Sequence, residues 1–157
     1  AYDTSAYHEV DLTDNYEQIR TRLYEMQAAH YDVWTNMGGG ILRAREELNG
    51  SRSRATARKV MFLLTDGRAN VTASGSTGDY TGGREYARAQ ASLAVSEGIR
   101  IFAVSVGAGA DTALMEELAT MGSGTHFHAE GSIETYSQQL EAIFRTLGGS
   151  RPVELIQ

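Results

Sequence analysis

Two short segments of this chain combine residue types that could do chemistry. The first is Thr65-Asp66-Gly67, which follows the most apolar run in the sequence, Val60-Met61-Phe62-Leu63-Leu64. A carboxylate there stands where a buried strand opens to solvent, and Gly67 lets the chain turn sharply behind it. The plainer reading is that Asp66 starts a turn or caps a neighbouring element, and the tripeptide alone allows both. The second segment is Thr35-Asn36-Met37-Gly38-Gly39-Gly40, at the opening of a helix. Glycine costs about 1 kcal/mol relative to alanine inside a helix, so three together point to close packing or backbone access. The Thr35 hydroxyl is either an ordinary helix cap or a hard oxygen ligand for Mg²⁺ or Mn²⁺.

Weaker constellations stand beside these. His126, His128 and Glu130 spell H-x-H-x-E along a strand, which puts both rings on one face. No second ligand cluster accompanies them in the sequence, so an ordinary strand end is the preferred reading over a metal site. Gly107-Ala108-Gly109-Ala110-Asp111-Thr112 lies between a strand and a helix, as a dinucleotide fingerprint would. It carries Thr112 where the third glycine belongs, and no ribose-binding acid can be assigned. Gly75-Ser76-Thr77-Gly78 is neither a nucleophile elbow nor a phosphate loop, and sits in a polar stretch, Arg68 to Gly83, expected to be a surface loop near the site face. Arg52, Arg54, Arg58 and Lys59 read as a solvated loop. Trp34 is either an exposed contact residue or a cover for the core.

The elements that must position these groups alternate in type. Val60–Leu64 and the run Ile99–Val106 read as strands buried on both faces of a parallel sheet, and Thr125–Ala129 as a third strand. Tyr16, Ile19, Leu23 and Met26 mark a helix, with Asp14 and Glu17 as a capping box. Met37, Ile41, Ala44 and Leu48 mark a second, stopped by Asn49-Gly50. Further helices are expected over Arg84–Glu97 and Asp111–Met121. The last, through Ile133, Tyr136, Leu140, Ile143 and Leu147, has Ser132 as cap and Gly148-Gly149 as stop. Residues 1–13 alternate loosely and suggest an extended hairpin. The pattern predicts an α/β fold with a mostly parallel sheet, whose ligands bind outside the strands' carboxyl ends.

Composition bounds the function. A chain of 157 residues, 41% hydrophobic and 22% charged, is a single domain, 1–157, able to bury a core. A net charge of −6 argues against a nucleic-acid partner. Without cysteine there are no disulfides, thiolate metal sites or catalytic thiols. No apolar run is long enough to cross a membrane. The chain lacks an initiator methionine and reads as a piece of a longer protein.

Together, Thr35 before its helix and LLTDG after its strand resemble the von Willebrand factor type A (VWA) family. GIRIFAVSVG matches the strand that follows, LMEELA the next helix, THFHA the last strand and SIETYSQQLEAIF the last helix. The flavour is that of bacterial VWA proteins near Tad-type pilus genes. The resemblance implies a Rossmann-like, doubly wound sheet with helices on both faces. It further implies a metal-ion-dependent adhesion site in which Thr35 and Asp66 hold Mg²⁺ (or Mn²⁺ or Ca²⁺). The metal would bridge to an Asp or Glu carboxylate of a protein partner, without enzymatic activity, in an extracytoplasmic or cell-surface setting. One motif departs from the family. Asp-x-Ser-x-Ser should end the first, central strand, whereas Asp3-Thr4-Ser5-Ala6-Tyr7 has Tyr7 in place of the second serine and lies too close to Thr35. The first strand and helix therefore read as absent. A partner chain, a swapped copy or the tail Val153-Glu154-Leu155-Ile156 is expected to fill the gap, and metal binding by this chain alone is expected to be weak or absent. The competing expectation is an assembly module of the same fold that binds no metal. An enzyme or nucleotide-binding domain ranks third, for want of a nucleophile-base pair or cofactor loop.

Overall fold

A computed structural model describes residues 1–26 and 33–131, together with 135, 138, 139, 141, 142 and 145. Its elements are α1 (Tyr16–Glu25), α2 (Met37–Asn49), β1 (Val60–Thr65), α3 (Tyr80–Ser96), β2 (Arg100–Val106), α4 (Thr112–Met121) and β3 (His126–Ala129). The cap at Ser132, the stop at Gly148-Gly149 and the tail Val153–Ile156 lie outside the described residues, as does most of the final helical stripe. Thr135, Gln138, Gln139, Glu141, Ala142 and Arg145 are helical, as that stripe expects.

The three strands form one parallel sheet in the order β1-β2-β3, with Leu63 opposite Ala103 and Ser105 opposite His128. Both crossovers step the same way. Right-handed connections then place α3 and α4 on one face, and α2 packs beside α3. Under them lies a single core of Met37 and Ile41 from α2, Met61 and Leu63 from β1, the alanines of α3, Ile101 and Ala103 from β2, and Leu114, Met115 and Leu118 from α4. The described strands thus wind in one direction, and a reversal of winding would fall at β1, the edge of the sheet among the described strands.

That edge departs from the expectation for β1. The run VMFLLT is buried on one face only: Phe62 and Leu64 remain 49% and 50% exposed, although Phe62 stacks on Phe102 with ring centroids 5.5 Å apart. Beside β1 runs a groove of about 510 Å³, bordered by Phe62, Leu64, Ile19, Leu23, Met26 and Tyr2. The apolar stripe of α1 faces this groove rather than a closed core, so α1 buries no residue fully.

All four described helices begin at an Asn or Asp whose side chain accepts a backbone N–H of the first turn. For α1 that residue is Asn15, which accepts from Gln18, and not Asp14. For α3 it is Asp79, which accepts from Gly82, so the helix starts four residues before the expected Arg84. The expected N-terminal hairpin is instead a tight turn with one antiparallel bridge, Tyr2 to Ala6. The Asp3 carboxylate accepts from Ser5 N at 2.6 Å and so closes the turn before a strand can extend.

Packing accounts for the three glycines. A Cβ on Gly38 would collide with the Tyr86 ring, one on Gly39 would lie 2.7 Å from Asn36 Oδ1, and one on Gly40 would collide with the Tyr2 ring. Arginine–carboxylate pairs then fix the helix layer. Arg45 pairs with Glu97 and donates to Gln90 at 2.6 Å, tying α2 to α3. Arg88 holds Glu117 through two bonds of 2.6 and 2.7 Å, tying α3 to α4.

Candidate functional site

Thr35 is held by its backbone. Its N–H donates to Asn70 Oδ1 at 2.7 Å, and Asn70 N–H donates to Thr35 O at 3.2 Å. Asn70 is buried, so this clamp is shielded from water. The next residue, Asn36, donates its N–H to Asp3 O at 2.6 Å and its Nδ2 to Thr4 O at 3.1 Å. Asn36 Oδ1 also accepts from Gly39 N at 2.9 Å and caps α2. The cap role left open for Thr35 therefore belongs to Asn36. Among the described residues no hydrogen bond engages the Thr35 hydroxyl or the Asp66 carboxylate.

The two segments meet at Gly67. A Cβ there would stand 2.8 Å from Thr35 Oγ1, so the hydroxyl rests against a place only glycine leaves open. Asp66, directly before it, is exposed at the carboxyl end of β1. Gly67 O accepts from Asp111 N at 3.4 Å, which brings the loop after β2 against the same turn. On the other side Tyr2 donates its hydroxyl to Leu64 O at 2.7 Å. Burial pushes the Tyr2 phenol up to about 12, with a hydrogen bond to Thr65 opposing and the nearby Asp66 charge adding to the shift. Tyr2 therefore stays neutral and braces the strand end.

A hydroxyl and a carboxylate are the hard oxygen donors that Mg²⁺ prefers, and Mg²⁺ takes its remaining positions from water or other oxygens. By donor chemistry alone, the Thr35 hydroxyl and the Asp66 carboxylate suit such an ion. The rim carries Trp34, whose ring lies 3.6 Å from a Cβ position at Gly78, and Arg68, whose guanidinium sits 4.8 Å over the Tyr80 ring. The stretch after Arg68 is more ordered than an open surface loop. Val71 bridges Thr77, Thr72 N donates to Ser76 O at 2.9 Å, and Ser76 N donates to Thr72 Oγ1 at 3.0 Å.

The Gly107–Thr112 segment is a helix start. Asp111 Oδ1 accepts from Leu114 N at 3.1 Å, while its buried Oδ2 makes no hydrogen bond among the described residues and lies 3.4 Å from Arg84. A separate group of His8, Asp11 and Glu47 brings three ligand atoms within 4.8 Å of one another. Arg52 already supplies the cation there, 2.6 Å from Glu47 Oε2 and 3.0 Å from Asp11. Its hydrogen bond holds the Glu47 carboxyl down at about 2, helped by the Leu12 N–H. Sequence reasoning missed Asn36 and Asn70 as the residues that orient Thr35. Asn70 sits in a polar stretch with no distinguishing signal, whereas Asn36 carried one, an Asx residue directly before a helix.

Comparison with known proteins agrees with the fold. Among solved structures, a von Willebrand factor type A protein from Catenulispora acidiphila is similar in fold, with a TM-score of 0.58 at 15% identity. The match covers 86% of this chain and 28% of that one. No curated protein matches. The family model described as von Willebrand factor type A domain matches residues 1–145, and the chain belongs to that family.

Proposed function

We propose that this domain is a non-enzymatic protein-binding module whose partner docks through a divalent metal at the carboxyl end of β1. Thr35 supplies its hydroxyl and Asp66 its charge. Mg²⁺ is the ion expected, with Mn²⁺ and Ca²⁺ as substitutes, and an Asp or Glu carboxylate of the partner takes an open position on it. Such a bridge is strongest where the partner excludes water. The observation that carries this reading is the free Thr35 hydroxyl beside Gly67, with Asn36 doing the capping. Water supplies the remaining oxygen ligands. A strand added along the open edge of β1, from a partner or a second copy, would bring more protein against the same end of the sheet.

Titrating Mg²⁺ while following thermal unfolding tests this. At a concentration about a hundredfold above Kd, binding adds about 2.7 kcal/mol and raises Tm by several degrees. Asp66→Ala removes the shift and Thr35→Ala reduces it. An unfolding curve indifferent to Mg²⁺, Mn²⁺ and Ca²⁺ would leave the second reading, an assembly module that binds no metal. What favours that reading is that Thr35 and Asp66 are the only two hard ligands assigned to the site among the described residues.

A further inference from the structure

Ser105 is fully buried on β2, between two histidines of β3. Its Oγ lies 2.7 Å from His126 Nε2 and 2.7 Å from His128 Nδ1. The far nitrogen of each ring meets a carboxylate. His126 Nδ1 is 3.2 Å from Glu116 Oε2 on α4, and His128 Nε2 is 2.7 Å from Glu130 Oε1. The strand period of two sends both rings to one side, and the pairing of Ser105 with His128 puts the hydroxyl on that side too. The sequence offered H-x-H-x-E with no second cluster. The fold supplies one, Ser105 from β2 and Glu116 from α4.

Counting hydrogens exposes a conflict. A carboxylate only accepts, so the tautomers that satisfy Glu116 and Glu130 together carry the N–H of each ring on the outer nitrogen. Both inner nitrogens are then lone pairs facing a hydroxyl with one hydrogen. Ser105 donates to one of them, and the other faces an oxygen lone pair at 2.7 Å. A cation between the rings removes the conflict.

We propose that His126, His128 and Ser105 form a site for a first-row transition ion, Zn²⁺ or Cu²⁺. Imidazole nitrogen suits these ions, whereas Mg²⁺ and Ca²⁺ prefer oxygen, so this site and the Thr35–Asp66 edge select different metals. An outer carboxylate on each ring is the arrangement that fixes the tautomer of a metal-binding histidine and raises its basicity. A tetrahedral ion with bonds of about 2.0 Å holds its ligands about 3.3 Å apart, so rings and hydroxyl open by about half an ångström on binding. The His126 side chain is 7% exposed and that of His128 24%, so the ion enters on the His128 side, where water completes its shell.

A purely hydrogen-bonded Ser105–His126–His128 cluster is the alternative, and the experiment separates the two. The whole chain, in excess Mg²⁺ and at fixed neutral pH, is titrated with ZnCl₂ by calorimetry and by histidine side-chain NMR. The expected result is one equivalent bound, with the His126 and His128 resonances moving and those of His8 unmoved. Glu130→Gln weakens binding by about 10–100-fold, and His128→Gln abolishes it. Zinc heat that survives His128→Gln, an equivalent taken up at His8, or rings that do not respond to zinc would each overturn the proposal. If His128→Gln does not fold, Glu130→Gln decides, because unchanged zinc affinity in that variant overturns it as well.

Discussion

At the scale of single residues, glycines set the geometry on which the site depends. Gly38, Gly39 and Gly40 admit Tyr86, Asn36 and Tyr2 against α2, and Gly67 admits the Thr35 hydroxyl. A methyl at Gly38 must displace a packed ring, so Gly38→Ala is expected to destabilise the domain by about 1–3 kcal/mol in urea unfolding. Gly67→Ala tests something different. Its methyl meets only a hydroxyl at 2.8 Å, so the fold should survive while Thr35 turns away. The expected outcome is near wild-type stability without added metal and a reduced Mg²⁺-dependent rise in Tm. Loss of stability without loss of the metal response would contradict the placement of Thr35. Glu47 provides a pH-dependent case. Its carboxyl sits at about 2 in the fold against an ordinary value of 4.5, chiefly through the hydrogen bond from Arg52. A depressed carboxyl stabilises the fold above pH 4.5, and that contribution disappears as pH falls from 4.5 towards 2. Glu47→Gln should therefore cost on the order of 1–2 kcal/mol at neutral pH and become neutral near pH 2, as read from denaturant unfolding across that range.

At the scale of elements, the apolar runs and the helix stripes were legible in the sequence because burial imposes period on them. The order β1-α3-β2-α4-β3 with parallel pairing followed from alternation of type. Helix starts were read less well. Asp14 and Asn15 are adjacent and both able to cap, and only the position of Gln18 N decides between them. The start of α3 was missed because Tyr80-Thr81-Gly82-Gly83 has poor helix propensity and becomes helical through the Asp79 cap and close packing of Gly83 on Ala69 and Asn70. Thr35 and Asp66 were singled out from sequence, yet the Asn70 clamp that holds Thr35 against the loop after β1 is a contact between distant segments with no local pattern. The half-exposed face of β1 could not be read either, since a continuous apolar run looks the same whether one face or two are covered. That face makes its own prediction. Among the described strands β1 is an edge, and its half-exposed Leu64 invites pairing with another chain. Concentration-dependent association is expected in analytical ultracentrifugation, and Leu64→Lys should suppress it while leaving the helical signal in circular dichroism unchanged.

At the scale of the whole molecule, the two proposed cation sites lie on different parts of one sheet and use different donors. Thr35 and Asp66 join the loop before α2 to the end of β1, and the histidine pair joins β3 to β2 and α4. A net charge of −6 favours cations in general but cannot direct one ion to one site. Direction comes from donor chemistry, oxygen against imidazole. Amide hydrogen exchange can read both in one sample, because a ligand that joins two segments suppresses their local opening. Mg²⁺ is expected to slow exchange at Asn36, Gly67 and Asn70 and to leave β3 unchanged. Zn²⁺ is expected to slow His126–Ala129 and the β2 amides around Ser105 while sparing Gly67. Protection by both ions over the same residues would mean a single site, and would remove the argument that the fold sorts the two metals by where it places oxygen and nitrogen.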